Sequence, residues 1–451
     1  MKRMIDMSCS RRKFIQSSAV IAVGFTGLQN LVKGKASSRN ISGYGPLIKD
    51  PNQILDLPKH FSYSIIGRTG DRMSDGFFLP DKPDGMAAFP YRENKVILVR
   101  NHEINPLAFG SKGPFGTGNK KIKSVPENLI YDKGRILPCL GGTTTLIYDT
   151  KERKLDSQFL SLVGTLRNCA GGPTPWNSWI SCEEVVMGKT GPCKKNHGWC
   201  FEVPVTDFPK LADPIPLKAM GRFNHEAVAV EPNSGDVYLT EDRHDGLIYR
   251  FIPSKKGELS KGGKLYALKI SGSESADTRN WDDAQFIPGQ KERIEWIELN
   301  DVESPKDDLR FRGFKKGAAC FARGEGMWYS GGSIYFACTN GGIKKRGQIW
   351  KLTSSKIELF AEPNDPDLVD NCDNLTVSPS GDLFLCEDGK GQQFIDVITP
   401  DGNIFKLAKN SKSTSEFSGP TFSPDGSTLF VNIQHDGLTL AITGPWGKKI
   451  G

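Results

Sequence analysis

The chain has 451 residues and a mass of 49.7 kDa, with 37% hydrophobic and 25% charged residues. This composition is typical of a soluble globular protein and excludes fibrous, disordered and polytopic membrane proteins. The formal net charge is +7, but seven cations and one aspartate fall in the first 36 residues, so the rest of the chain is nearly neutral. A nearly neutral body gives no electrostatic reason to bind nucleic acid or an anionic membrane.

The N-terminus carries the pattern of an export signal. The apolar stretch Ser18–Leu28 is too short to span a bilayer as a helix, which needs about 20 residues, so we expect no stable membrane anchor. The preceding segment, Ser10–Ile15 (SRRKFI), is a twin-arginine pattern, although an ordinary basic segment with two adjacent arginines would also contain it. We predict a twin-arginine signal peptide over residues 1–36, recognised by the twin-arginine export machinery. The mature protein is then periplasmic or secreted.

The rest of the chain repeats a short strand-and-turn pattern. With 49 glycines and 28 prolines, the sequence favours short strands and turns over long helices. Six similar stretches begin at Gly85, Gly172, Glu226, Glu325, Asn374 and Gly419. After each comes a second apolar strand that ends in polar residues, and three repeats add a further strand that begins at Gly198, Gly246 or Gly347. The last two steps, of 49 and 45 residues, have the size of four-stranded propeller blades.

We therefore predict an all-β fold, a six-bladed β-propeller that forms one domain over residues 37–451. The long steps between repeats are interpreted as insertions between blade strands, at 105–137 and 253–293. Two stacked sheets are the alternative, but a sandwich gives no reason for meanders to recur in this order.

In a propeller, equivalent residues of the innermost strands converge around the central channel. Glu226 and Glu325 occupy matching positions together with Asn374, whereas Asp84 and Asp373 stand one residue earlier. Carboxylates that face one another in a narrow channel repel, and burying them is costly unless cations neutralise them. Oxygen ligands favour calcium, whereas a thiolate at Cys169 favours a softer metal such as iron, unless Cys169 is a buried core cysteine.

Other polar residues allow two interpretations. Arg323 either neutralises Glu325 or presents a planar fork to an anionic substrate such as phosphate. The acidic residues that end the second strands are interpreted as turn caps or solvent-exposed groups: Glu184, Glu241, Glu387 and Asp388. The chain has no C-x-x-C pair and only six histidines, so zinc sites of the finger or ribbon type are not predicted.

Several segments together resemble the PhoX family of secreted alkaline phosphatases. They are Arg167–Trp176 (RNCAGGPTPW), Cys182–Glu184, Gly221–Glu226 (GRFNHE), Phe321–Glu325 (FARGE), and Phe422–Gly426 with Phe430–His435. The resemblance runs from about Gly43 to the C-terminus. It implies a six-bladed propeller, twin-arginine export, and a calcium-dependent phosphomonoesterase with a centre of Fe³⁺ and Ca²⁺ at the channel mouth.

The resemblance also assigns roles to individual residues. Cys169 matches the iron-binding cysteine, Glu226 and Glu325 match metal-binding glutamates, and Arg323 matches the arginine that contacts phosphate. Asp373 matches a metal-ligand aspartate through a shorter local similarity. The chain departs from the family pattern in its shorter length and at Gly324, where proline is frequent.

The predicted function is that of an exported, monomeric phosphomonoesterase acting on small phosphate monoesters. No G-x-S-x-G motif is present, so we expect the attacking oxygen to come from water activated at the metals rather than from a side chain. Two alternatives remain from the sequence. One is a calcium-dependent propeller esterase or lactonase, and the other is a non-catalytic, exported calcium-binding propeller.

Overall fold

A computed structural model describes residues 43–107, 112–189 and 191–449. The predicted signal peptide over residues 1–36 lies outside the described residues. Within those ranges no helix has the length and apolar character needed to cross a membrane.

Strands make up most of the regular structure, arranged as six consecutive antiparallel meanders. Three short strands come first: β1 (Leu47–Ile48), β2 (Leu55–Pro58) and β3 (Ser62–Arg68). The first meander contains β4 (Pro83–Arg92), β5 (Lys95–His102), β6 (Gly141–Asp149) and β7 (Lys154–Thr165). The second contains β8 (Asn168–Pro173), β9 (Ser178–Glu183) and β10 (Cys200–Pro204). The third contains β11 (His225–Val230), β12 (Val237–Glu241), β13 (Ile248–Pro253), β14 (Gly263–Ile270) and the added β15 (Lys291–Leu299).

The second half of the chain continues the same pattern. The fourth meander contains β16 (Gly324–Ser330), β17 (Ser333–Cys338), β18 (Gln348–Leu352) and β19 (Lys356–Ala361). The fifth contains β20 (Cys372–Val377), β21 (Leu383–Glu387), β22 (Phe394–Ile398) and β23 (Ile404–Asn410). The sixth contains β24 (Phe417–Phe422), β25 (Thr428–Ile433) and β26 (Leu438–Thr443). The described helical segments are α1 (Leu309–Lys315) and 3₁₀ turns at Thr117–Ser124, Glu127–Leu129, Lys218–Met220 and Leu259–Lys261.

Hydrogen bonds join these strands into five sheets. The third and fourth meanders share one nine-stranded sheet, because β15 pairs with both β14 and β19. The strands at the start of the described chain complete the last two meanders: β3 pairs with β26, and β2 pairs with β23. The two ends of the fold are therefore tied together through backbone hydrogen bonds.

The first strand of each meander packs against the first strands of its two neighbours, so that β4, β8, β11, β16, β20 and β24 form a closed ring. The hydrophobic core lies between adjacent meanders; one cluster joins Met86 and Leu98 of the first meander to Phe430 of the sixth. All six predicted repeats begin within these ring strands. The prediction of an all-β, propeller-like fold is thus confirmed.

Candidate metal centre at the strand ring

Each ring strand contains a β-bulge at the same place. Between two paired residues, the ring strand advances by three residues while its partner advances by two, as from Gly324 to Met327 opposite Cys338 to Phe336. The same shift occurs in β4, β8, β11, β20 and β24. Bulges redirect side chains and are frequent beside active sites. The first residues of the six bulges are Asp84, Cys169, Glu226, Glu325, Asp373 and Gly419, which we call the bulge ring.

Polar side chains of one meander donate hydrogen bonds to backbone carbonyls in the bulge of the next meander. The Asn101 amide donates hydrogen bonds to the carbonyls of Cys169 at 3.1 Å and Ala170 at 2.6 Å. In the same way the Thr240 hydroxyl donates to the Glu325 carbonyl at 2.7 Å. Because these donors sit on buried strands, the backbone under the bulge ring is fixed by the fold itself.

Close approach of the ring strands also requires small residues beside the bulge ring. A Cβ on Gly326, the residue after Glu325, would lie 2.7 Å from the Asn374 Cα on the neighbouring strand. Below this level the channel narrows to a hollow of about 20 Å³, lined by Gly85, Ala170 and Gly326 among others. The bulge ring therefore lies at the end of a central channel that the ring strands fill almost completely.

A second set of polar residues follows the second strand of each meander. The backbone N–H of each donates to a carbonyl of the residue that precedes the ring strand, as from Glu184 to Arg167 and from Asp388 to Asn371. We call this set the outer ring. Its members are Glu103, Glu184, Asp242, Thr339, Asp388 and Gln434.

Potential ligand atoms of the two rings, together with Glu416, lie within 4.8 Å of one another in small groups. Four groups of three residues each have their potential ligand atoms within 4.8 Å: Asp84–Glu103–Cys169, Cys169–Glu184–Glu226, Glu226–Glu325–Asp373 and Asp373–Asp388–Glu416. Successive groups share a residue, so the site is a continuous arc of eight carboxylates and one thiol. An arc of this extent has ligands for more than one cation.

Burial and mutual repulsion make this arc unfavourable without cations. Burial, followed by the charges of neighbouring carboxylates, raises the pKa of Glu226 well above its usual value, and the same causes act on Asp84. Burial and Asp388 raise the pKa of Asp373 to about 7. Burial and Asp84 raise the pKa of the Cys169 thiol, which lies 3.7 Å from the Asp84 carboxylate.

Unpaired buried oxygen atoms show that this donor set fits metal ions. Both carboxylate oxygens of Glu226 and Oδ1 of Asp84 are buried and have no hydrogen-bond partner. Buried carboxylates without partners are rare, and hard cations are bound by oxygen ligands of this kind. The arc combines such oxygens with one sulfur.

Two arginines occupy equivalent positions, each two residues before a bulge-ring residue and each with a positive φ angle: Arg167 at 42° and Arg323 at 54°. The Arg323 guanidinium contacts Asp242 at 2.8 Å and Glu325 at 2.5 Å. The charge of Glu325, and then that of Asp242, raises the pKa of Arg323, which keeps it cationic. Arg323 therefore neutralises Glu325, and because it remains 27% exposed, its contact with a phosphate stays a prediction.

Arg167 is a site residue to which the sequence analysis gave no role. Its guanidinium pairs with Glu103 at 2.8 Å and with Glu184, while its Nε has no hydrogen-bond partner. The signal that reveals it is structural, because only the shared bulge position makes it equivalent to Arg323.

Other acidic residues close to the rings are structural. Glu183 accepts hydrogen bonds from the N–H groups of Leu166 and Gly198. Glu241 accepts the Tyr249 hydroxyl at 2.7 Å, and Glu387 pairs with Lys406. These carboxylates are the last residues of second strands, one position before the outer ring, and belong to the hydrogen-bonded body of the meanders.

The structure brings Cys169, Glu226, Glu325 and Asp373 together in one arc, with Arg323 beside them. One part of the repeat alignment is wrong. Asp84 and Asp373, rather than Asn374, are equivalent to Glu226 and Glu325, and Asn374 instead accepts the Gly419 N–H at 2.8 Å.

The interpretation of the second-strand acids as turn caps or exposed groups is wrong for Glu184, which is buried in the arc. For Asp388 the side chain is 39% exposed, in agreement with that interpretation, although the residue is also part of the arc. Glu103 and Glu416 also belong to the arc. Glu103 could have been found as the counterpart of Glu184, whereas Glu416 belongs to the residues that precede ring strands and has no equivalent acid.

Comparison with known proteins adds to this geometry. The sequence model of the family described as "Alkaline phosphatase PhoX" matches residues 42–153 and 141–437. Among solved structures, PhoX of Pseudomonas fluorescens in complex with vanadate, described as a transition state analogue, superposes with a TM-score of 0.64 at 18% identity, covering 90% of this chain and 98% of that one. A gluconolactonase of Xanthomonas campestris superposes with a TM-score of 0.42 at 12% identity, covering 90% of this chain and 99% of that one. No curated protein sequence matches the chain.

Proposed function

Because the chain belongs to the PhoX alkaline phosphatase family and is a phosphoric monoester hydrolase of the alkaline phosphatase type, we propose that its reaction takes place on the arc formed by the bulge ring and the outer ring. The observation that carries this proposal is the chain of four overlapping ligand groups, which joins Cys169 to Glu226, Glu325 and Asp373. The substrates are small phosphate monoesters, and the metals are iron and calcium.

The two kinds of ligand divide the arc between the two metals. Cys169, Glu184 and Glu226 would hold iron, because a thiolate selects a softer ion than calcium. The groups Glu226–Glu325–Asp373 and Asp373–Asp388–Glu416 contain oxygen ligands alone and would hold calcium. When bound, such metals polarise phosphoryl oxygens and activate water as a nucleophile.

The chain's own cations orient the substrate. The planar guanidinium of Arg323 is held in place by its hydrogen bonds to Asp242 and Glu325. Its remaining N–H groups donate to an equatorial phosphoryl oxygen of the substrate. Its Nη1 forms a longer ion pair with Asp388 at 3.8 Å, which an incoming anion would replace. Arg167, whose guanidinium pairs with Glu103 and Glu184, adds a second positive charge to the arc. The vanadate bound to the P. fluorescens protein, an analogue of a phosphoryl group, supports a phosphate-like occupant.

The remaining expectations belong to the same proposal. We count the six meanders as six propeller blades, two of them joined by β15, in one domain over residues 37–451. The protein is exported by the twin-arginine route, which recognises residues 1–36, and after removal of this signal peptide it acts as a monomer in the periplasm or outside the cell. Export in the folded state would allow the metal centre to assemble before translocation.

One assay tests this function against both alternatives. Purified, metal-loaded protein is incubated with p-nitrophenyl phosphate and with p-nitrophenyl acetate, with and without a calcium chelator. We expect hydrolysis of the phosphate alone, and loss of that activity with the chelator. Hydrolysis of the acetate alone would favour an esterase or lactonase, and hydrolysis of neither substrate would favour a binding propeller; either result contradicts the phosphatase.

The variant Cys169→Ser sharpens the assay. A phosphatase that holds iron through this thiol loses activity together with its iron, whereas an esterase built on calcium alone keeps its activity. Cys386→Ser is the matched control, because Cys386 is a fully buried cysteine in the core between the fifth and sixth meanders.

A further inference from the structure

A second group of metal-ligand residues lies behind the arc. Potential ligand atoms of Asp132, Cys139, Cys193 and His197 lie within 4.8 Å of one another. The Asp132 and His197 side chains have no exposed surface, and Cys139 and Cys193 are 5% and 1% exposed. The group is separate from the arc, and the phosphatase reaction has no use for it.

We propose that these four residues form a closed, structural zinc site. Two thiolates, one imidazole and one carboxylate are ligands of the types found in tetrahedral zinc sites. His197 Nε2 lies 3.2 Å from Asp132 Oδ2 and 3.9 Å from Cys139 Sγ. Zinc bond lengths of about 2.0–2.3 Å give tetrahedral edges of about 3.3 Å between nitrogen and oxygen and about 3.6 Å between nitrogen and sulfur. The observed separations are close to these values.

Hydrogen bonds behind the ligands orient them for a metal. His197 Nδ1 pairs with Glu183 Oε1 at 2.7 Å, which leaves Nε2 directed at the other three residues. A carboxylate on the far nitrogen is typical of a zinc-bound histidine. The Asp132 carboxylate accepts backbone N–H groups of Gly134 and Lys194, at 2.7 and 2.8 Å.

The chain positions of the ligands explain why the site is structural. Cys193 and His197 are separated by three residues in the loop between β9 and β10, a spacing that lets both reach one ion. Asp132 and Cys139 come from the long segment before β6. Zinc would therefore cross-link an insertion of the first meander to the second, and it would displace the thiol protons and any proton on Nε2.

The site is also connected to the arc through Glu183. The same oxygen of this carboxylate, Oε1, binds His197 Nδ1 and accepts the Leu166 N–H at 3.0 Å. Leu166 precedes Arg167, and Glu183 precedes Glu184. The zinc site would therefore fix the backbone next to Arg167 and Glu184, two residues of the phosphate site. Four protein ligands leave no open position for a substrate.

The test measures metal content and sulfur coordination, neither of which depends on turnover. Full-length protein purified without chelators is analysed by elemental mass spectrometry and by X-ray absorption at the zinc edge. We expect stoichiometric zinc with two sulfur ligands at about 2.3 Å and two nitrogen or oxygen ligands at about 2.0–2.2 Å. Cys193→Ser should lose most of the zinc, whereas the control Cys386→Ser should keep it.

Separate variants keep the outcome interpretable. If Cys193→Ser does not fold, Asp132→Asn preserves the shape of the site, and its zinc affinity should fall by at least about tenfold. Cys169→Ser should keep the zinc–sulfur signal, because it alters the arc alone. The proposal is overturned by protein without zinc, by zinc without sulfur ligands, by a zinc–sulfur signal that disappears in Cys169→Ser, or by a Cys139–Cys193 disulfide in peptide mapping.

Discussion

At the scale of single residues, one position along a strand separates a structural carboxylate from a site carboxylate. Glu183 binds backbone N–H groups and His197, whereas the next residue, Glu184, faces Arg167 and Cys169 in the arc. Side chains alternate between the two faces of a strand, so adjacent acids point in opposite directions. The difference between ligand and structural acid is thus a matter of register.

Glu226→Gln should remove metal from the arc without unfolding the protein. The substitution keeps the volume of the side chain but replaces one unpaired carboxylate oxygen with an amide. We expect phosphatase activity to fall by at least about 10–100-fold, the loss typical of residues that merely support metal ligands. The metal-free variant should be more stable than metal-free wild type, because the folded protein no longer has to bury a carboxyl group whose pKa is raised by burial and neighbouring charges. Elemental analysis and urea denaturation measure both effects.

Glu241→Gln is the matched control. Glu241 is fully buried on the strand that pairs with that of Glu226, but it binds Tyr249 and lies outside the arc. Its replacement should leave the metal content unchanged. Equal loss of metal in the two variants would contradict the assignment of Glu226 as a ligand.

Arg323→Ala should separate phosphate binding from metal binding. Its guanidinium is a cation within the arc and contacts two carboxylates, Asp242 and Glu325. We expect kcat/KM to fall by about 10²–10³-fold, as for other donors that stabilise transition-state charge. Metal content, measured on the same sample, should persist. Loss of metal along with activity would make Arg323 a structural neutraliser of Glu325.

The control for this variant is Arg243→Ala. Among the described residues, the Arg243 guanidinium pairs with Asp307 at 3.5 Å rather than with a carboxylate of the arc. Its replacement should leave both kcat/KM and the metal content close to wild type.

At the scale of the strand, the repeating bulge is the element that builds the site. Six ring strands bulge at one position, and five of them place a polar side chain there. The sixth has Gly419, with φ at 59°, where a Cβ would meet the Asp84 carbonyl oxygen at 2.3 Å. The ring therefore has one position without a side chain, next to Asp84.

Gly326→Ala should disturb two ring strands at once. The new Cβ would lie 2.7 Å from the Asn374 Cα, a backbone atom that moves only with β20. Overpacking of this kind costs about 1–3 kcal/mol, and the displacement falls between Glu325 and Asp373. We expect a lower urea midpoint and weaker calcium binding, measured by calorimetry.

Gly331→Asn supplies the comparison for Gly326→Ala. Gly331 lies in the turn after β16, has φ at 56°, and has open space where a side chain would be. Asparagine tolerates this backbone conformation, so both stability and calcium affinity should change little. A Gly326→Ala variant as stable as this control would show that the ring strands separate without cost.

The sequence predicts the strands of the fold more fully than the geometry of the site. Alternating apolar residues and turn signals locate the six ring strands, and the third strands predicted at Gly198, Gly246 and Gly347 correspond to β10, β13 and β18. The bulges leave no such periodic signal, because one extra residue shifts the register without changing composition. The alignment of Asn374 with Glu226 fails for this reason.

Tertiary contacts determine the rest of the site. Joining of the third and fourth meanders depends on β15, an added strand that the repeat does not predict. Most of β15 follows the predicted insertion at 253–293, and that insertion itself contains β14, a strand of the third meander. Asp132, Cys139, Cys193 and His197 likewise come together from two loops without any local zinc motif. Absence of a finger or ribbon spacing in the sequence therefore says nothing about a site that spans two meanders.

At the scale of the whole molecule, the closed ring of strands holds mutually repelling carboxylates close together. Pairing of β3 with β26 and of β2 with β23 closes the fold, so the ring strands cannot separate locally to relieve that repulsion. The metal-free protein instead relieves it by taking up protons, as the raised pKa values of Glu226, Glu325 and Asp373 indicate. Cations and protons therefore compete for the same carboxylates.

The free energy of unfolding of the metal-free protein should consequently fall as the pH rises. The contribution of Asp373 to this change can be measured. Its pKa is about 7 in the folded state against 3.8 for an ordinary aspartate, so between these pH values the folded state holds a proton that the unfolded state has lost. Its contribution to the free energy of unfolding then decreases by up to about 1.4 kcal/mol per pH unit and levels off above pH 7. Urea denaturation in chelator, compared between wild type and Asp373→Asn, isolates this contribution from that of other carboxylates. The free energy of unfolding of wild type, relative to that of Asp373→Asn, should decrease from about pH 4 to 7. This difference should shrink in saturating calcium, which favours the ionised carboxylate. A difference independent of pH would show that Asp373 is not ionising within the ring.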